Sequence, residues 1–292
     1  MKQSLKKEAM WRVRKPAVAG YFYPSDKDKL ISLIEETFKS DKIGPGKLPP
    51  SKEQKEAIGY LVPHAGYEYS GYVAAHAYLE ISALPEGSTF IILGPNHYGI
   101  GSPIALPQSE IWETPLGQVK VDTSLRNEIL SERSIIDMDD AAHWREHSIE
   151  VQIPYLQYIK KDFKILPISM TLMEKEYAVE VAEIIYKKIK DKKNYYIIAS
   201  SDLTHYEPAD SVNKKDEIAI NAIIKKDLDE FYRVLRRYDI TMCGYGPASV
   251  LIHLSNLMGY NSVKLLKHAN SGDVTGDYSA VVGYASVGFY KS

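Results

Sequence analysis

One cysteine, Cys243, stands in the 292 residues, so no intrachain disulfide can form and nothing points to an oxidising compartment. Long apolar runs are missing too: none approaches the ~20 residues that a membrane-spanning helix needs. Neither sign of charge prevails, with 36 basic against 38 acidic side chains. That near-balance gives no electrostatic case for nucleic acid or for an anionic membrane as partner. The opening stretch MKQSLKKEAMWRVRKP carries charge throughout and lacks the apolar core of a signal peptide, so a cytoplasmic location is expected. No short repeat and no low-complexity segment is visible. Residues 271–277 (SGDVTGD) have neither the Gly-Lys-Ser/Thr ending of a phosphate loop nor the spacing of an EF-hand, and read as a strand connection.

What is present is an ordinary globular composition, 45% hydrophobic and 25% charged, on a chain long enough for one large α/β domain or two smaller ones. Short continuous apolar runs at residues 57–62 (AIGYLV), 89–93 (TFIIL), 163–168 (FKILPI) and 195–199 (YYIIA) have the pattern of strands covered on both faces. Between them lie helical patterns at 71–81 and 174–190, the latter with Tyr177, Val181, Ile184, Ile185 and Ile189 at helical spacing. A helix is expected to open at Ser148 and run through Ile159. Further helices are expected at 25–38, 214–225, 228–238 and 246–258, and closing strands at 263–267 and 279–290. Alternation of strands and helices from residue 57 onward predicts a single α/β domain with a mostly parallel central sheet flanked by helices. Residues 1–13 read as an N-terminal arm and 14–292 as the domain.

Three of the strand-like runs end in a potential ligand or proton-transfer group. Val62 is followed by Pro63-His64, Leu93 by Gly94-Pro95-Asn96-His97, and Ala199 by Ser200-Ser201-Asp202 with His205 three residues on. In open α/β sheets ligands sit beyond the carboxyl ends of the strands, so three such endings predict one site on one edge. His64 and His97 are metal candidates, since imidazole is a common neutral nitrogen ligand. Cys243 lies just before a helix, in a loop bordered by two glycines and the helix N-terminus, where a thiolate can be stabilised for metal binding or nucleophilic attack; the plainer reading is a small buried hydrophobe. Asp202 can orient His205 as a general base, and equally can cap the following turn. In Glu146-His147-Ser148-Ile149-Glu150, helical spacing would let Glu150 meet His147 or Glu146, although a charge-rich helix start is common.

Taken together, Pro63-His64-Ala65-Gly66-Tyr67, Gly94-Pro95-Asn96-His97, Glu146-His147-Ser148-Ile149-Glu150, Ser201-Asp202 with His205, and Cys243-Gly244 resemble the Memo family, as does the early Ala19-Gly20-Tyr21-Phe22-Tyr23. The resemblance implies a fold similar to the class III extradiol ring-cleaving dioxygenases, with a metal site in the cleft. It makes His64 and His97 the histidine ligands, places Cys243 in the region of the third, and gives His205, beside Asp202, the acid–base position. His147 and Glu150 would line the pocket. A thiolate in place of the dioxygenases' glutamate favours copper or zinc without excluding iron. The expectation is a metal-dependent redox enzyme, with iron or copper as the divalent ion and a small organic substrate. The alternatives are a non-catalytic peptide- or protein-binding module using the same cleft, and a metal-free hydrolase with Cys243 as nucleophile.

Overall fold

The computed structural model describes residues 13–53 and 55–292; of the expected arm, 1–13, all but Val13 lies outside the described residues. In chain order the first half carries β1 (Val13–Arg14), α1 (Lys27–Lys39), β2 (Ala57–Val62), α2 (Tyr67–Ile81), β3 (Ser88–Pro95), β4 (Ile104–Leu106), β5 (Ile111–Thr114), β6 (Gly117–Val121), α3 (Thr123–Leu130) and β7 (Asp137–Met138). There follow α4 (Ile153–Ile159), β8 (Phe163–Met170), α5 (Lys175–Ile189), β9 (Tyr195–Ser200) and β10 (His205–Glu207). The chain closes with α6 (Ala209–Lys225), α7 (Leu228–Arg237), α8 (Tyr245–Met258), β11 (Ser262–Asn270), α9 (Gly272–Thr275) and β12 (Val281–Tyr290).

The strands form one sheet in the order β1-β5-β6-β8-β3-β9-β2-β12-β10. Its centre is the parallel set β8, β3, β9 and β2, which are the apolar runs seen in the sequence. Every residue of β2 and β3 is buried, as strands covered on both faces require. Antiparallel pairs flank the centre: β5 with β6 on one side, and β2, β12 and β11 on the other. Helix α2 packs on β2 and β12, while α8 packs on β9, β2 and β3, so helices cover the sheet. Helix α5 presents Ala178, Val181, Ala182, Ile184, Ile185 and Ile189 inward, a single apolar stripe, and lies against α8. Asp26 and Asp122 cap α1 and α3 by accepting from Lys29 N and Leu125 N, satisfying backbone donors that the first helical turn leaves open. No helix among the described residues is long and apolar enough to cross a membrane.

Two elements differ from the expectation in ways that matter for the site. Helix α2 begins at Tyr67, one turn earlier than residue 71, because Tyr67 is buried and its N–H donates to Phe22 O. The helix expected from Ser148 is instead a 3₁₀ turn, Glu150–Gln152, followed by α4 from Ile153. Pro154 has no N–H and is tolerated only in the first turn of a helix, so α4 has to start beside it. Residues 143–149 are left as irregular chain.

Candidate metal centre

His64 lies two residues beyond β2, His97 two beyond β3 and Asp202 two beyond β9. Because β9 runs between β2 and β3 in parallel register, all three emerge on one edge of the sheet. Two glycines let the neighbouring chain close over them. A Cβ at Gly94 would stand 2.4 Å from Ser148 Oγ, and one at Gly244 would stand 2.3 Å from Ser200 O.

The ring of His64 is buried, and its tautomer follows from its partners. Ser200 Oγ donates its one hydrogen to Ser148 O at 2.6 Å and accepts from Gln152 Nε2 at 2.7 Å. It can therefore only accept at His64 Nδ1, 2.9 Å away, so Nδ1 carries the hydrogen and Nε2 presents a lone pair. Burial, together with His147, His97 and His205 nearby, holds His64 well below the ordinary histidine pKa, in its neutral form.

His97 is set by Glu146. Its Nδ1 donates to Glu146 Oε1 at 2.9 Å and its backbone N–H to Oε2 at 2.6 Å. Burial works to raise the Glu146 carboxyl, but the hydrogen bond from His97 and the nearby His97 and His147 outweigh it and bring it down to about 2. The carboxylate is thus acceptor only, and His97 Nε2 is left free. Glu146 Oε1 also accepts from the N–H groups of His147 and Ser148 and lies 3.4 Å from His147 Nδ1. His147 is pushed down to about 4, by burial first.

The rings of His64, His97 and His147 converge, with candidate ligand atoms all within 4.8 Å of one another. An ion bound about 2.1 Å from each nitrogen spans at most ~4.2 Å between a pair, so small ring rotations bring the set to bonding distance. Three imidazoles, each binding in its neutral form, would fit a divalent ion of the borderline or later transition series. The group can hold a metal ion.

Cys243 Sγ lies 3.2 Å from His64 Nε2 and accepts from Asp202 N at 3.4 Å. Burial, reinforced by the charge of Asp202, raises the thiol well above its ordinary pKa; without an ion it donates S–H to His64. Asp202 Oδ1 accepts from His64 N and Ala65 N, at 2.8 and 3.3 Å, and Oδ2 lies 3.9 Å from His64 Nε2. Burial pushes this carboxyl up to about 6 against those hydrogen bonds. The ring of His205 is held by Thr241: Nδ1 donates to Thr241 O at 2.9 Å and the backbone N–H to Thr241 Oγ1 at 2.8 Å.

Glu150 lies apart from this group. Fully buried, it pairs with Arg14 and accepts from Ala17 N, Val18 N and Tyr23 Oη. Glu146, Gln152, Ser200 and Thr241, which orient the histidines, were not singled out as site residues from the sequence. The only signal there for Glu146 is its place beside His147; a hydrogen bond reaching 49 residues leaves no local pattern.

The fold and the cluster define a class, an α/β protein with a histidine group beyond the carboxyl ends of a parallel sheet. The chain belongs to the Memo family: the family model described as Memo-like protein matches residues 14–288. It is 47% identical over 286 residues to a MEMO1 family protein of Methanocaldococcus jannaschii, covering 95% of this chain and 99% of that one. It is 46% identical over 281 residues to a MEMO1 family protein of Pyrobaculum aerophilum, covering 96% and 100%. An Escherichia coli K12 protein described as uncharacterized superposes with a TM-score of 0.54 over 80% of this chain and 99% of that one. At 10% identity that likeness concerns the fold alone.

Proposed function

We propose that this chain is a metal-dependent redox enzyme of the cytoplasm acting on a small organic substrate. His64, His97 and His147 supply nitrogen ligands, and Cys243 supplies sulfur when an ion displaces its proton. The observation that carries this reading is the convergence of three imidazoles, two of which spend Nδ1 on protein partners and keep Nε2 for another contact. Iron and copper suit a set of nitrogens with one sulfur, as does zinc where no electron is transferred. A bound ion would polarise substrate or exchange electrons with it.

The chain's own groups hold and move protons. His205, with Nδ1–H spent on Thr241 O, offers Nε2 as acceptor at the rim. Asp202, whose carboxyl burial pushes up, stands against His64 and Cys243 and is the inner group that can hold a proton. The metal-free thiol hydrolase has less support, since the base nearest Cys243 is the ligand candidate His64 and burial keeps the thiol protonated. Exposed Tyr21, Tyr98 and Tyr206, adjacent in sequence to Phe22, His97 and His205, favour a peptide-binding cleft as the second reading.

Metal content of anaerobically purified protein tests the reading, with His147→Ala and Cys243→Ser beside wild type. A stoichiometric ion in wild type is expected, with affinity falling roughly 100-fold, about 2.7 kcal/mol, in His147→Ala. A folded wild type that takes up no iron, copper or zinc on reconstitution would overturn it.

A further inference from the structure

His147 is the one imidazole of the three that no strand delivers. It stands on the irregular segment 143–149, and that segment is tied down from the start of the domain. The guanidinium of Arg14, 2% exposed, donates through Nε and Nη2 to His143 O at 3.1 and 2.9 Å. It also donates through Nη2 to Glu146 O at 2.6 Å. Its remaining arm pairs with Glu150, whose carboxylate is completed by Ala17 N, Val18 N and Tyr23 Oη. Between those contacts the chain turns and lays the Phe22 ring on His147, centroids 4.4 Å apart. On its other sides the His147 ring meets His97, stacked at 4.5 Å, and the edge of His64 at 5.4 Å. The third imidazole is thus packed between a ligand candidate and a side chain more than a hundred residues away in sequence.

We propose that residues 14–23 form a positioning clamp for the metal centre: Arg14 fixes the backbone on either side of residues 144 and 145, and Phe22 fixes the ring of His147. The clamp rests on the reading of His147 as a ligand and assigns these two residues a role in that site. Neither touches the ion. Arg14 acts because one planar fork of donors spans the carbonyls of His143 and Glu146 and so fixes their spacing. Phe22 acts because the His147 imidazole is otherwise held by a long 3.4 Å contact to Glu146 Oε1 and by stacking on His97, and a ring that turns about its side-chain bonds costs the ion a ligand.

Cobalt(II) binding to the full chain tests the clamp. In wild type, each bound imidazole should give one exchangeable N–H proton resonance shifted by the paramagnetic ion, three in all for the group. Phe22→Ala removes no charge and no hydrogen bond, so the metal-free variant should keep its melting temperature within about 5 °C. Its cobalt affinity should nonetheless fall about 10-fold or more, with one N–H resonance lost and restored in Phe22→Tyr. Should Phe22→Ala fail to fold, Phe22→Leu is read in the same way. Arg14→Lys keeps the charge against Glu150 and gives up the fork on the carbonyls; a smaller loss in the same direction is expected, and none would remove Arg14 from the clamp. Unchanged affinity with all three resonances in the Phe22 variant would overturn the clamp while leaving the metal site standing. A folded wild type that binds no cobalt would overturn both.

Discussion

At the carboxyl ends of β2, β3 and β9 polar side chains are buried and aimed at one another, whereas at the amino ends of β2 and β9 they stand in water. The amino-end cleft is roomy, about 480 Å³, and is lined by Lys55, Ala57, Lys192, Tyr195, Tyr196 and Tyr260. Its charges pair outward across the surface, Lys192 with Glu128 at 2.7 Å and Lys291 with Glu56 at 3.0 Å. At the carboxyl ends buried polar groups are instead spent on orienting one another: Glu146 on His97, Gln152 on Ser200, Ser200 on His64. Cavity size does not locate the chemistry here. Burying so many polar groups is costly unless they are fully paired, and that organised pairing at one end sets the two apart.

The comparison can be broken most forcefully at Arg14. Arg14→Ala leaves Glu150 buried without its cation, and loss of about 3–5 kcal/mol of stability is expected, read from urea unfolding. A loss under 1 kcal/mol would mean that the buried end is no more demanding than the surface. The next effect is on pH. His143 is buried beside Arg14, and burial, then the Arg14 charge, hold it at about 3, whereas in the unfolded chain it titrates near 6.5. Between those values the unfolded state binds a proton that the native state refuses. Stability therefore rises with pH through this window and is lost on acidification, by about 1.4 kcal/mol per pH unit for this one group. His147, at about 4, adds in the same sense. An unfolding midpoint that stays flat from pH 6.5 to 4 would remove the inference. The smallest effect belongs to the amino end: Lys192→Ala breaks a half-exposed pair and should change stability by about 0–1 kcal/mol. A larger loss would blur the contrast.

Much of the fold was legible because parallel strands covered on both faces are continuous apolar runs, and those at 57–62, 89–93, 163–168 and 195–199 are the four central strands. Their abrupt endings marked His64, His97 and Asp202 for the same reason. Strand β5 escaped notice, since its alternating pattern Ile111-Trp112-Glu113-Thr114 is only half buried and its pairing with β1 and β6 is tertiary. The helix read from Ser148 ignored what Pro154 forbids. In a continuous helix Glu150 and His147 would share a face; in the irregular chain Glu150 turns to Arg14 and His147 to His97. His205 and Asp202 are three residues apart, yet the imidazole takes its hydrogen bonds from a different loop, at Thr241.

The sequence by itself determined the strands, the helices between them and the residues waiting at the strand ends, because local periodicity and chain breaks are properties of neighbouring residues. It determined the Memo family in the same way, through short motifs kept in order. Only the tertiary structure decided which imidazoles meet, which nitrogen His64 and His97 give to their partners, and that Arg14 and Phe22, far from His147 in sequence, lie against its loop and ring. Those are contacts between residues far apart in the chain, up to 136 residues for Arg14 and Glu150, and the sheet has to close before any of them exists.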